Sequence, residues 1–257
     1  MERRRRHKRK SRKPIYAIVA IVIVFFCILT YSFLRPTSQT NISQDFSYKT
    51  AIVDHLSLTA PNPTFIQTAT NMLEHAGYTV DYYPGEEVTV NFFRNLPKHD
   101  YDLVVLRVHS ALMGGISPPV GLFTSESLSK TKYIYELLTD QLVGAKFTDQ
   151  ENEYFAFTPL FVKYSMNGRF ENTKIIMMAC DGLTYTGMAE AFTEKGAEVY
   201  VSWNGPVSAS HTDYATNTLL RHLVTEKQTI EQAVTETMKE VGLDPEYESI
   251  LQCYPNV

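Results

Sequence analysis

Apolar and polar positions follow two alternating patterns between residues 51 and 241. Short apolar runs predict strands, and apolar residues at every third or fourth position predict helices. Gly77 and Gly196 are predicted to end two of these helices. The strands are predicted over 51–57, 78–83, 101–109, 173–180 and 198–203, and the helices over 64–76, 88–96, 186–195, 212–225 and 229–241. Strands that alternate with helices predict an α/β domain with a mostly parallel sheet and right-handed crossovers.

This alternation is interrupted between Ala111 and Phe161. Glycine and proline pairs, followed by short aromatic pieces, predict loops and short hairpins there. We expect this long insertion to form a wall beside a substrate site. The residues from 244 to 257 are predicted to be a C-terminal tail.

The amino-terminal part has a different pattern from the rest. Residues 1–13 carry nine Lys and Arg against one Glu, so this tail is +8, whereas the whole chain is −4 and the remainder is therefore −12. The 21 residues from Pro14 to Leu34 are uncharged and apolar, long enough to cross a bilayer. A basic run that directly precedes such a segment favours a membrane flank over a nucleic-acid site.

We therefore predict a retained transmembrane helix over residues 14–35, since a cleaved signal peptide has a shorter apolar core. The basic residues before it place the amino terminus in the cytoplasm and the remainder outside. Residues 36–48 are polar and predict a linker, with a glycosylation sequon at Asn41. Residues 49–243 are enough for one domain with its own core.

Two predicted strands end on side chains that can do chemistry together. An apolar run stops at Cys180, just before the Asp181-Gly182 turn, and another stops at His109. In an open α/β fold the carboxyl ends of parallel strands carry the site. A thiol there can act as nucleophile and an imidazole as its base. Each residue alone is more often structural than catalytic, and Asp181 is expected to be a turn former.

The residues from about Ala51 to Val241 resemble the caspase-like cysteine peptidases of clan CD, which include caspases, gingipains, legumain and CHAT domains. The resemblance rests on the strand ending in His109-Ser110, the strand ending in Ala179-Cys180, and the block from Gly196 to Trp203. It implies a three-layer α/β/α sandwich with a His109 and Cys180 dyad. The family usually has Gly after the histidine, and this chain has Ser110.

Other site residues are predicted from the chemistry of acyl transfer and from the resemblance to this family. The backbone N–H of Cys180, with that of Ser110 or of the Gly114-Gly115 loop, could form the oxyanion hole. The resemblance suggests that Asp213 and Trp203 shape the substrate pocket. A carboxylate there would favour Arg or Lys before the cleaved bond, although Asp213 could instead cap a helix and Trp203 could be core.

Cysteine usage leaves a competing interpretation. Cys180 and Cys253 could form a disulfide outside the cytoplasm, which would block the nucleophile. No Cys or His pair has metal-ligand spacing, and no phosphate-binding loop is present, so neither a metal nor a cofactor is predicted. The oligomeric state is not predicted.

The sequence thus predicts a membrane-anchored cysteine endopeptidase acting on protein or peptide substrates. Two alternatives stay open: a non-catalytic binding or scaffold domain with the same fold, and a thiol hydrolase of non-peptide substrates.

Overall fold

The computed structural model describes residues 48–114, 118–147 and 151–255. The predicted basic tail, transmembrane helix and nearly all of the predicted linker lie outside these residues, as does Gly115. Among the helices that are described, none is long and apolar enough to cross a membrane.

A six-stranded sheet forms the centre of the described domain. Its strand order is β10-β9-β8-β3-β1-β2, and every neighbouring pair is parallel except the antiparallel β10 and β9. The prediction of a mostly parallel sheet is confirmed. Its strands are β1 Tyr48–Asp54, β2 Tyr78–Pro84, β3 Leu103–Arg107, β8 Lys174–Met177, β9 Val199–Trp203 and β10 Leu251–Tyr254.

Helices cover both faces of this sheet, because alternate strand residues point to opposite faces. One buried cluster joins one face of the strands to α1, α6 and α7, and the other cluster joins the opposite face to α2, α4 and α5. The seven α-helices of the described residues are α1 Pro63–His75, α2 Val90–Asn95, α3 Ile134–Leu138, α4 Pro159–Tyr164, α5 Gly187–Glu194, α6 Ala209–Leu220 and α7 Ile230–Val241. The layers are therefore α/β/α.

The helix ends agree with the predicted glycine stops. Gly77 follows α1 at φ +91° and Gly196 follows α5 at φ +110°, in the region that favours glycine. Gly196 also lies against the carbonyl oxygen of Phe170, where a Cβ would be in collision. Helix α6 begins three residues earlier than predicted, and the chain continues from it as a π-helical turn over Arg221–Thr225.

The insertion is more ordered than loops and short hairpins. It forms a second sheet, antiparallel throughout, with the order β4-β5-β7-β6. These strands are β4 Ser110–Leu112, β5 Val120–Ser127, β6 Leu142–Lys146 and β7 Glu153–Phe157. The aromatic side chains of this insertion, such as Phe155 and Phe157, are buried in the same core cluster as α2 and α4, which explains why it is ordered.

The prediction of a C-terminal tail is wrong. Strand β10 pairs along β9, with Leu251 opposite Trp203 and Tyr254 opposite Tyr200. Asp244 is fully buried, and its carboxylate accepts hydrogen bonds from the backbone N–H and hydroxyl of Ser208. The sequence did not predict strand β10, because four residues are too few for a clear strand pattern.

Candidate active site

The register of the central sheet brings Cys180 and His109 to the same edge. Leu106, the last residue of β3 that pairs with β8, lies opposite Met177 at the end of β8. His109 is three residues beyond Leu106, and Cys180 is three residues beyond Met177. Both side chains therefore leave adjoining parallel strands at the same level, at the carboxyl edge where sites form in open α/β sheets.

One small cavity is lined by both residues. Its volume is about 140 Å³, and it lies between the ends of β3 and β8 and the start of α6. The residues that line it are Leu56, Val108, His109, Met178, Ala179, Cys180, Val207, Ala209 and Thr212. Cys180 and His109 thus line one crevice.

The Cys180 thiol is half-buried and held by the backbone of Val207. The thiol donates to the carbonyl oxygen of Val207 at 3.6 Å, and the N–H of Val207 donates to Sγ at 3.4 Å. Burial raises the pKa of the Cys180 thiol, the N–H of Val207 lowers it, and the charges of Asp181 and Asp244 raise it further. The net pKa is raised, so the resting thiol is protonated at neutral pH.

The pKa of His109 is shifted in the opposite direction to that of Cys180. Burial lowers the pKa of His109, and the nearby charge of Arg107 lowers it further. Its Nε2 is 2.7 Å from the Oγ1 of Thr59, in the loop after β1. The imidazole is therefore neutral at neutral pH, and one of its two nitrogens is engaged with Thr59.

Aromatic side chains enclose the other sides of the His109 ring. The ring of Phe147 is 4.7 Å from it, between centroids, and the ring of Phe123 is 6.2 Å away. His55 approaches edge to face at 5.9 Å, with the two rings at 86°. Phe147 follows β6 directly, so the insertion packs against the His109 ring.

Ser110 is compatible with the position that follows the histidine. It begins β4, and its φ is not positive, so the backbone there does not require glycine. Its hydroxyl donates to the carbonyl oxygen of Cys180. This hydrogen bond ties the two chain segments of the candidate dyad together. Asp181 has a φ of +60°, and its Oδ1 accepts from the hydroxyl of Thr184, which is the behaviour of the expected turn former.

Asp213 does not line the cavity beside Cys180. Its carboxylate is buried and accepts from Arg107, with Nε to Oδ1 at 2.7 Å and Nη2 to Oδ2 at 2.9 Å. Asn62 donates to Oδ2 as well. Because the Arg107 guanidinium already neutralises this carboxylate, Asp213 is not available to bind an Arg or Lys side chain of a substrate. The predicted role is therefore corrected to a structural one.

Trp203 is also a core residue and does not line the cavity. Its side chain is fully buried, and its Nε1–H donates to the hydroxyl of Thr212 at 2.9 Å. A side chain with no exposed surface cannot contact a substrate. Its contribution is to hold Thr212, which does line the cavity, at the start of α6.

Cys180 and Cys253 are both free thiols. Cys253 in β10 lies opposite Val201 in β9, and Val201 lies opposite Ile176 in β8. The two cysteines are therefore two strands apart, roughly 10 Å, and also four residues apart along the strand direction. Cα atoms more than about 7 Å apart cannot be joined by a disulfide, so the competing disulfide interpretation is wrong for this fold. Within the described residues, no cluster of three His, Cys, Asp or Glu side chains could hold a metal ion.

Sequence reasoning missed the residues that support the dyad. Arg107 is completely buried and donates to Asp54 from Nη1 at 2.7 Å, in addition to Asp213. Thr59 and His55 were not predicted either. The signal for Arg107 was present, because a charged residue inside the apolar run 103–108 must be paired if it is buried. Thr59 gave no signal, because it approaches His109 only through the folding of the β1 loop.

No protein-family model and no curated protein matches the sequence. Among solved structures, the chain is similar to the Arg-specific cysteine proteinase gingipain R, with a TM-score of 0.44 and 14% sequence identity. The match covers 77% of this chain and 43% of that one, so the chain spans less than half the length of the gingipain structure.

Proposed function

We propose that this chain is a caspase-like cysteine endopeptidase in which Cys180 is the nucleophile and His109 is the general base. The observation that carries the proposal is the equal offset of the two residues beyond the paired ends of β3 and β8, with both lining one cavity. A thiol and an imidazole in a shared crevice can carry out acyl transfer.

The reaction begins with Cys180 as a neutral thiol and His109 as a neutral imidazole. The Cys180 thiol gives its proton to His109 as Sγ attacks the peptide carbonyl carbon, and the backbone N–H groups of Ser110 and Cys180 bind the developing oxyanion. The C–N bond breaks, and protonated His109 returns the proton to the leaving amine. His109 then takes a proton from water as the water oxygen attacks the thioester carbon. The C–S bond breaks, and His109 returns the proton to Sγ of Cys180. The raised pKa of Cys180 and the lowered pKa of His109 support this order, in which the base acts at the moment of attack.

We also propose that residues 14–35 anchor the chain in a membrane, with residues 1–13 in the cytoplasm and the catalytic domain outside. The uncharged apolar segment and the basic residues before it support this arrangement. Its substrates are then proteins or peptides on the outer side of the membrane.

Labelling of the thiol tests the catalytic proposal. The full-length protein, under reducing conditions at neutral pH, should be alkylated at Cys180 by an electrophilic peptide and should cleave members of a peptide library. Cys180→Ala should abolish both reactions. Cys253→Ala is the matched control, because it removes the other thiol of the described domain and should leave both reactions intact.

One observation favours a non-catalytic binding domain, namely the raised pKa of a thiol that is already hydrogen-bonded to Val207. Absence of labelling at Cys180 would decide for that alternative. Labelling of Cys180 without any peptide cleavage would instead indicate a thiol hydrolase of non-peptide substrates.

The pH profile of kcat/KM should be wide. The acid limb reports protonation of His109, whose lowered pKa moves that limb below about 6.5. The alkaline limb reports ionisation of Cys180, whose raised pKa moves it above about 8.5. Initial rates from about pH 5 to about pH 10 check this. A narrow profile centred near neutral pH would contradict a neutral resting pair.

Thr59→Val should lower kcat by roughly fivefold with little change in KM. The variant keeps the shape of the side chain but removes the hydrogen bond to His109 Nε2, which is worth about 1 kcal/mol. Thr59→Ser keeps the hydroxyl and should retain most of kcat. If the Ser and Val variants are equally impaired, Thr59 acts by packing and does not orient the imidazole.

A further inference from the structure

The cavity beside Cys180 is apolar apart from the dyad itself. Of its lining residues, only Thr212 adds another polar side chain, and the Thr212 hydroxyl already accepts a hydrogen bond from Trp203. No Asp, Glu, Lys or Arg is among the residues that line it. Three carboxylates lie next to lining residues in sequence or act on the Cys180 thiol, and each is engaged elsewhere. Asp213 pairs with Arg107, Asp181 accepts from the hydroxyl of Thr184, and Asp244 accepts from Ser208.

We propose that this cavity receives the substrate side chain that directly precedes the cleaved bond and selects an apolar residue of the size of valine or leucine. This inference rests on the proposed peptidase function. It replaces the preference for Arg or Lys that the sequence suggested through Asp213.

The position of the cavity supports this assignment. Sγ of Cys180 must reach the carbonyl carbon of the residue before the cleaved bond, and that carbon is bonded directly to the α-carbon bearing the side chain. The side chain must therefore enter space that opens beside the sulfur. The cavity beside Cys180 is bounded by the start of α6 and by Leu56. These residues therefore contact the substrate side chain.

The size and polarity of the cavity determine the preference. An apolar protein cavity of about 150 Å³ can hold benzene, so a cavity of about 140 Å³ accepts an aliphatic side chain of similar volume. A guanidinium, an ammonium or a carboxylate would lose its hydration there without a counter-charge among the lining residues, which disfavours each of them strongly. Removing methylenes from a side chain that fills such a pocket lowers kcat/KM by about 10-fold to 200-fold.

A set of electrophilic peptides that differ only in the residue next to the reactive group tests the inference. The full-length protein is treated with acyloxymethyl ketone peptides ending in Leu, Val, Arg or Asp, and the rate of alkylation at Cys180 is measured for each. We expect the Leu and Val peptides to react at least about 100-fold faster than the Arg and Asp peptides. Equal or faster labelling by the Arg or Asp peptide would overturn the inference and leave the peptidase proposal standing. No labelling by any peptide would overturn both.

A charge placed at the start of α6 gives a second test. Ala209→Asp introduces a carboxylate into the cavity lining, in the first turn of a helix, where an acidic side chain is tolerated. It should accelerate labelling by the Arg peptide at least about tenfold and slow labelling by the Leu peptide.

Two matched variants separate charge in the cavity from other effects. Ala209→Asn has the same shape as Ala209→Asp without the charge, and Ser210→Asp carries the charge on an exposed neighbour that does not line the cavity. Both should keep the preference for Leu over Arg. If Ala209→Asp keeps the original preference as well, while its thermal unfolding matches that of Ala209→Asn, the cavity does not select this side chain and the inference is wrong.

Discussion

Arg107→Met should lower the free energy of unfolding by about 3–5 kcal/mol, which is the typical cost of removing one partner from a buried ion pair. The Arg107 side chain is fully buried and forms ion pairs with Asp54 and Asp213, both at 2.7 Å. The hydrogen bonds to these two carboxylates outweigh the effect of burial and raise the pKa of Arg107. Without the guanidinium, two buried carboxylates lose their counter-charge. Urea unfolding of the full-length variant checks this value.

The matched control is Arg221→Met. Arg221 also pairs with two carboxylates, Glu226 and Glu240, but its side chain is 38% exposed. Exposed pairs contribute about 1 kcal/mol or less. A second comparison removes the charges together: Arg107→Met combined with Asp54→Asn and Asp213→Asn should recover part of the lost stability, because no charge is then left unpaired. An effect of Arg107→Met no larger than that of Arg221→Met would contradict the role of the ion pairs.

These ion pairs matter for the site because of what they connect. Asp54 ends β1, Arg107 ends β3, and Asp213 lies in the first half of α6, whose start lines the cavity. Arg107 also donates to the carbonyl oxygen of Ala60, next to Thr59. The same guanidinium thus fixes the strand end that leads to His109 and the loop that carries its hydrogen-bond partner. A loss of Arg107 should therefore reduce activity even in molecules that stay folded.

The inner strands of the central sheet, β1, β3, β8 and β9, could be predicted from the sequence because they are largely buried on both faces. Runs such as 103–106 are apolar throughout, and every residue in them is buried. The sites where two of these runs stop also indicated His109 and Cys180. In both cases the paired strand ended two or three residues earlier than predicted. The apolar run continues past the last paired residue because the side chains that follow line the cavity.

The antiparallel sheet and β10 could not be predicted in the same way. Strand β10 has only four residues, and the pairing of these strands depends on contacts between residues distant in sequence, such as Leu251 opposite Trp203. The role of Asp213 was misjudged for a related reason. Its position at the start of a helix was visible in the sequence, but its partner Arg107 is 106 residues away. A carboxylate can serve a substrate only if the fold leaves it unpaired.

His55 should make the folded state sensitive to acid. Its side chain is only 2% exposed, and its Nδ1 has no hydrogen-bond partner among the described residues. The pKa of His55 is lowered to about 4, because burial and the neighbouring His109 lower it by more than a hydrogen bond to the backbone of Thr124 raises it. The folded protein therefore holds His55 in its neutral form well below the pKa of about 6.5 that a histidine has in an unfolded chain.

The sign of the effect follows from proton binding. Below about pH 6.5 the unfolded chain takes up a proton on His55, whereas the folded protein does so only near pH 4. Stability is therefore lost as the pH falls between these values, and the loss attributable to His55 reaches about 3 kcal/mol at pH 4. In His55→Phe, which keeps an aromatic ring against Phe147 and His109, this part of the loss should disappear.

Urea unfolding at pH 7 and pH 4 measures the difference between the wild-type protein and His55→Phe. His75→Gln is the control, because His75 is exposed on α1 and should leave the acid sensitivity unchanged. A wild-type protein that loses no more stability than His55→Phe would show that His55 is protonated in the folded state. The imidazole next to His109 would then carry a positive charge at acid pH, and it would oppose the proton that His109 must accept during catalysis.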